Sequence, residues 1–228
     1  MQKRTIIFGL LLFTLLLLFL CGCRSRKENT PLPEDKTPPF KAETSAGKVD
    51  RLPEQPPVKE AKVLIVVAPS LFRDEEYQIP REILEENGYL VLVASATRET
   101  ARGTNGLAVK PDLTLSEARG GDFAAVIFAG GPGAEEYFKD PEAHRLAREA
   151  LSSGGVTGAI CIAPGILAEA DLLKGKKCTA YSSEKQHLRA KGAVYTGQDV
   201  VADGRIVTAN GPQSAREFGE AISRLLKT

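Results

Sequence analysis

From residue 61 onward the sequence repeats one pattern, a short continuous apolar run followed by a stretch with apolar residues at helical spacing. The runs at 63–68, 89–94, 123–129 and 156–162 are rich in Val, Leu, Ile and Ala. A strand with one wet face alternates, so unbroken runs of this length read as strands buried on both faces. Between them, residues 75–87 place Ile79, Ile83 and Leu84 at helical spacing and end at Asn87 and Gly88, a helix stop. Helices are also predicted at 141–152, 163–173, 183–190 and 216–226, the last with Phe218, Ala221, Ile222 and Leu225 on one face. A short strand at 178–181 and a hairpin over 200–209 that turns at Asp203 and Gly204 complete the pattern. Strands alternating with helices imply right-handed crossovers, hence an α/β fold with a doubly wound, mostly parallel sheet. Ligands bind such sheets outside the carboxyl ends of the strands, so the informative residues are those just after each run.

The first sixty residues have another character. Lys3 and Arg4 precede an apolar run over 5–20, the order of a secretory signal. The run meets Leu20, Cys21, Gly22 and Cys23, which resembles a bacterial lipobox with Cys23 as the acylated residue behind the small Gly22. The alternative is an uncleaved anchor, which needs roughly 17 to 25 apolar residues to span. Either way the folded part is expected to be exported and held at a membrane. Residues 24–60 hold seven of the 14 prolines and no periodic apolar residues, so they read as a disordered tether. The expected organisation is a signal peptide at 1–23, a tether at 24–60 and one domain at 61–228. Net charge is +1, and the basic stretch at 24–27 reads as a flank beside the membrane, so no nucleic acid is expected as partner. Of the four cysteines, Cys161 and Cys178 belong to the domain, and their expected places in two different strands argue against a disulfide.

At the expected strand ends stand Glu76, the pair Gly130 and Gly131, Cys161 and Tyr181. Cys161 lies between an apolar run and Pro164, so it occupies a sharp strand-to-helix turn like a nucleophile elbow, without the flanking glycines of G-x-S-x-G. There the helix dipole is expected to favour the thiolate. An inert buried cysteine fits the same position. Glu76 reads equally as an ordinary first-turn helix acid, and the glycines as a simple turn.

The stretch 158–164, Gly-Ala-Ile-Cys-Ile-Ala-Pro, resembles the cysteine elbow of the ThiJ/PfpI superfamily, which includes intracellular proteases and protein deglycases. Glu76 four residues before Pro80, the Ala129-Gly130-Gly131 turn and the segment 207–219 resemble three further motifs of that family, in the same order. The resemblance implies a flavodoxin-like sheet with helices on both faces, like that of class I glutamine amidotransferases. It implies Cys161 as nucleophile or redox thiol, Glu76 as the carboxyl bonded to it, and backbone amides of Gly131 and Ile162, with Gly130 in the same turn, facing an oxyanion. It also implies a homodimer. Two departures stand out: Ile162 follows the cysteine where the protease branch has histidine, and Tyr181 occupies the place of the deglycase-branch histidine, as a possible accessory group. His144 and His187 both fall in expected helices and are read as surface residues, too few and scattered for a metal site. No cofactor is expected. The first reading is a stress-related, lipid-anchored protein acting on small reactive carbonyls, in the manner of a glyoxalase or deglycase. A redox-sensing or chaperone-like protein is the alternative, and a cysteine peptidase or amidase the third, weakened by the missing histidine.

Overall fold

The computed structural model describes residues 61–228, so the expected signal peptide, the tether and lipidation at Cys23 lie outside the described residues. The first apolar run forms β1 (Lys62–Val66), an interior strand of the main sheet with all but its first residue buried. Chain order continues with β2 (Ser70–Phe72), α1 (Asp74–Glu86), β3 (Leu90–Ser95), β4 (Ala101–Gly103), β5 (Ala108–Val109), β6 (Leu113–Thr114) and β7 (Ala125–Phe128). Then come α2 (Pro141–Ser152), β8 (Val156–Ile160), α3 (Pro164–Glu169), β9 (Lys177–Cys178), α4 (Lys185–Ala190), β10 (Val194–Tyr195), the hairpin β11 (Val200–Asp203) and β12 (Ile206–Ala209), and α5 (Ala215–Leu226).

Seven of these strands form one sheet in the order β11-β12-β8-β7-β1-β3-β6. Every pairing is parallel except that of β11 with β12, whose turn lies at Gly204 with φ +64. The chain leaves β1 toward β3 on one side and returns to β7 on the other, so the winding reverses between β1 and β7. Right-handed crossovers then place α1 and α2 on opposite faces. The described residues therefore form the flavodoxin-like, doubly wound α/β fold expected from the sequence. α5 closes on α1: a Cβ on Gly219 would come within 3.0 Å of both the Pro80 Cα and the Ile83 side chain. It also lies close on β8, where a Cβ on Gly158 would meet Ile222 at 2.9 Å and Phe218 at 3.0 Å.

Several boundaries differ from expectation. The helix expected over 163–173 stops at Glu169, because Asp171 takes a left-handed backbone with φ +63 that no α-helix continues. The strand expected at 178–181 is only Lys177–Cys178, and it pairs with β10 in a separate two-stranded sheet. The small sheet β2-β4-β5 was unexpected; its strands of two and three residues are too short to carry a period. Cys161 and Cys178 are both free and buried. None of the described helices is long and apolar enough to cross a membrane.

The histidines expected at the surface are half-buried and occupied. His144 Nε2 lies 2.8 Å from the Phe138 carbonyl. His187 is held at both ring nitrogens, by Glu184 at 2.9 Å and Glu169 at 2.8 Å, and Glu169 also pairs with Lys191 at 2.7 Å. Only an imidazolium donates from both nitrogens. Burial by itself lowers the His187 pKa, but the two carboxylates outweigh it and the net shift is upward. Its clamp of α4 onto α3 is complete below the unfolded pKa near 6.5 and is lost as pH rises through the higher folded value. Thermal unfolding of His187→Gln against the unmodified chain is expected to show a loss of stability at pH 6 that shrinks by pH 9. A pH-independent difference would contradict the doubly donating imidazolium.

Candidate active site

The last residue of β8 is Ile160, and the chain turns at Cys161 with φ +64, a left-handed backbone that costs a side-chain-bearing residue roughly 1–3 kcal/mol. Two backbone bonds hold it there. The Cys161 amide donates to the Ala209 carbonyl at 2.9 Å, and the Tyr181 amide donates to the Cys161 carbonyl at 2.8 Å. Pro164 then opens α3, where a missing amide costs nothing. The thiol is thus pinned on an elbow, 8 % exposed, between the ends of two strands.

Glu76 reaches it from the first turn of α1 and is fully buried. Gly130, just past β7, lets the two side chains meet. A Cβ there would lie 2.5 Å from the Cys161 Cβ and 2.5 Å from Glu76 Oε2, so no other residue fits without moving one of them. Gly131 follows with φ +93, and a Cβ on it would lie 2.4 Å from the Arg73 nitrogen. The turn 130–131 is therefore glycine for space as well as for backbone freedom.

The electrostatics follow from burial. Loss of solvent pushes the Glu76 carboxyl up to about 7, against downward pulls from the Cys161 thiol, the Arg73 charge and the Gly130 amide. These neighbours lie beside the carboxyl, but both its oxygens are buried without a hydrogen-bond partner. Burial, and then the Glu76 charge, push the Cys161 thiol up to about 12, against the amides of Gly131 and Ile162, which pull it down. The expectation that a helix dipole would favour the thiolate is overturned. α3 is only six residues long, and burial, then the charge of Glu76, outweigh it. The pair resists a second negative charge, so one proton is kept between carboxyl and thiol near neutral pH.

The structure brings Cys161, Glu76, Gly130, Gly131 and Ile162 to one point. The two amides that act on the sulfur are those of Gly131 and Ile162, and the Gly130 amide acts on Glu76 instead. Tyr181 joins the elbow through its backbone, while its side chain is 51 % exposed. Neither histidine is free to serve as a base at Cys161, since each is engaged elsewhere. Sequence reasoning missed Arg73, which precedes α1 and whose amide donates to the Gly130 carbonyl at 2.9 Å. The only available signal was its place three residues before Glu76.

A cysteine elbow at the reversal point of a doubly wound sheet, with a buried carboxyl beside the sulfur, defines a class of α/β proteins built around one thiol–carboxyl pair. The chain belongs to the DJ-1/PfpI family, whose description matches residues 61–225. It is 36 % identical over 173 residues to an uncharacterized protein of Methanocaldococcus jannaschii, covering 75 % of this chain and 84 % of that one. It is 33 % identical over 166 residues to a deglycase of Pyrococcus horikoshii, covering 73 % and 99 %. It is 28 % identical over 164 residues to a glutathione-independent glyoxalase of Caenorhabditis elegans, covering 72 % and 88 %. Among solved structures, a ThiJ/PfpI domain protein of Brachyspira murdochii superposes with a TM-score of 0.72 at 33 % identity, covering 74 % of this chain and 98 % of that one.

A carboxyl raised by burial favours the folded state only while protonated. Stability is complete below its unfolded pKa of 4.5 and falls as pH rises through about 7. Glu76→Gln removes that loss. Denaturant titrations are expected to show the variant gaining on the unmodified chain between pH 5 and pH 8, toward about 3 kcal/mol at one pKa unit per 1.36 kcal/mol. An equal effect at both pH values would refute the buried, protonatable carboxyl.

Proposed function

We propose that this protein acts on small reactive carbonyls, in a glyoxalase- or deglycase-like reaction with Cys161 as nucleophile and Glu76 as proton carrier. The observation that carries the proposal is the contact between the thiol and a carboxyl raised to about 7, a group able to take and return a proton near neutral pH. Deglycase and glyoxalase are the names of two relatives, and they support the same reading.

With methylglyoxal the steps are these. Glu76 as carboxylate accepts the thiol proton while the sulfur attacks the aldehyde carbon. An S–C bond forms, the C=O π pair moves to oxygen, and that oxygen takes a proton to give a hemithioacetal. The Gly131 and Ile162 amides, already directed at the sulfur, favour negative charge as it develops there. Glu76 removes the proton from the former aldehyde carbon and returns it to the neighbouring carbon through an enediol. The resulting thioester is hydrolysed by water to lactate, and the thiol is released. Tyr181, at the rim, is an accessory to substrate placement in this reading.

A peptidase is less well supported, because both histidines are engaged away from the elbow. A redox sensor is less well supported, because a buried thiol with a raised pKa presents little thiolate to an oxidant. Lipidation at Cys23, export and pairing into homodimers remain part of the proposal on sequence grounds alone.

Lactate formation from methylglyoxal by the full-length chain, in detergent, is the test. Turnover is expected to vanish in Cys161→Ala and to fall about 100-fold or more in Glu76→Gln. With the carboxylate as base, kcat/KM is expected to rise as pH increases through about 7. Absence of turnover in the unmodified chain, or full activity in either variant, would contradict the proposal.

A further inference from the structure

Arg73 is the last residue before α1 and sits directly on the glycine turn of the site. Its amide donates to the Gly130 carbonyl at 2.9 Å, and its nitrogen lies 2.4 Å from where a Gly131 Cβ would be. Its guanidinium is a planar cation with donors arranged as a fork. It is also unmatched: Nε is buried with no hydrogen-bond partner, and no ion pair among the described residues includes Arg73. No neighbouring acid bonds to it, although Glu75 Oε2 and both Glu76 oxygens are themselves buried without a hydrogen-bond partner. Asp74 accepts from Thr104, Asn105 and Leu107, and Glu75 accepts from Asn105. The nearby Glu76 carboxyl feels the Arg73 charge without bonding to it.

A buried donor left unpaired costs free energy and calls for an explanation in a native structure. A guanidinium is the side chain best shaped to receive a carboxylate through two parallel bonds. We propose that Arg73 is a specificity residue that selects carbonyl compounds bearing a carboxylate next to the reacting carbon. The inference rests on the carbonyl chemistry proposed above for Cys161 and names the substrate class, 2-oxo acids and acidic aldehydes. Arg73 acts by attracting and orienting the anionic group, while bond making stays with the thiol. The competing reading is that Arg73 only offsets charge on Glu76, and it assigns no preference among reagents of different charge.

Alkylation of Cys161 separates the two without requiring any turnover. Iodoacetate and iodoacetamide react with a thiol in the same way: an S–C bond forms, iodide leaves and the thiol proton passes to solvent. They differ in charge, and the ratio of their rates cancels any change in the nucleophilicity of the sulfur. The ratio is measured on the full-length chain, at Cys161 by peptide mass, for the unmodified protein, Arg73→Gln and Arg73→Lys. Iodoacetate is expected to gain about tenfold over iodoacetamide in the unmodified protein relative to Arg73→Gln, a size reasonable for one partly desolvated charge pair. Arg73→Lys, which keeps the charge but not the fork, is expected to fall between them. Should Arg73→Gln disturb folding, added salt serves on the unmodified protein, lowering the ratio toward that of free cysteine. Equal ratios in the unmodified protein and Arg73→Gln, or a ratio in the unmodified protein that is unmoved by salt and equal to that of free cysteine, would overturn the proposal. The ratio can be read even if methylglyoxal is not turned over, so failure of the two proposals is distinguishable.

Discussion

The structure depends on keeping a carboxyl and a thiol together where water does not reach. Two groups that each prefer a negative charge cannot both have one in such a place, and burial alone raises both pKa values. The pair therefore keeps a proton near neutral pH, and that proton is what the site has to work with. An ordinary surface glutamate beside an exposed cysteine would titrate early and hold no proton at neutral pH.

The surrounding fold supplies what the pair needs. The winding reverses between β1 and β7, so the connections after those two strands lead to opposite faces of the sheet, and the side chains converge in the crevice outside the strand ends. The left-handed turn at Cys161 is held by backbone bonds to β12 and to Tyr181, so two other segments determine the position of the sulfur. Gly130 removes the one Cβ that would separate thiol from carboxyl. The clamp of Glu184 and Glu169 on His187 secures α3 behind the elbow. Strain at the turn and desolvation of Glu76 both oppose folding, and the buried strands β1, β7 and β8 with α1 and α5 over them supply the opposing hydrophobic term.

Much of this was legible in the sequence. The four unbroken apolar runs became β1, β3, β7 and β8 within a residue or two, because a strand buried on both faces has no polar positions to blur it. Cys161, Glu76 and the glycines were legible as residues at strand ends. The left-handed backbone of Cys161 was not, since it is imposed by bonds from Ala209 and Tyr181, distant in sequence. The raised thiol pKa was not legible either, because it depends on the depth of Glu76, which packing decides. Tyr181 was placed at the end of a main-sheet strand, whereas β9 is two residues long and pairs apart from that sheet. Arg73 and the paired carboxylates of His187 are products of tertiary contact, and neither carries a local signature.

The central claim is that Glu76 holds a proton at neutral pH against the Cys161 sulfur, and infrared difference spectroscopy tests it most directly. The protonated-carboxyl stretch, isolated by subtracting spectra of Glu76→Gln, is followed as a function of pH in the folded protein. The expected band is present at pH 6 and loses half its intensity near pH 7. A band already at half intensity near pH 4.5, as for the same carboxyl in water, would contradict it.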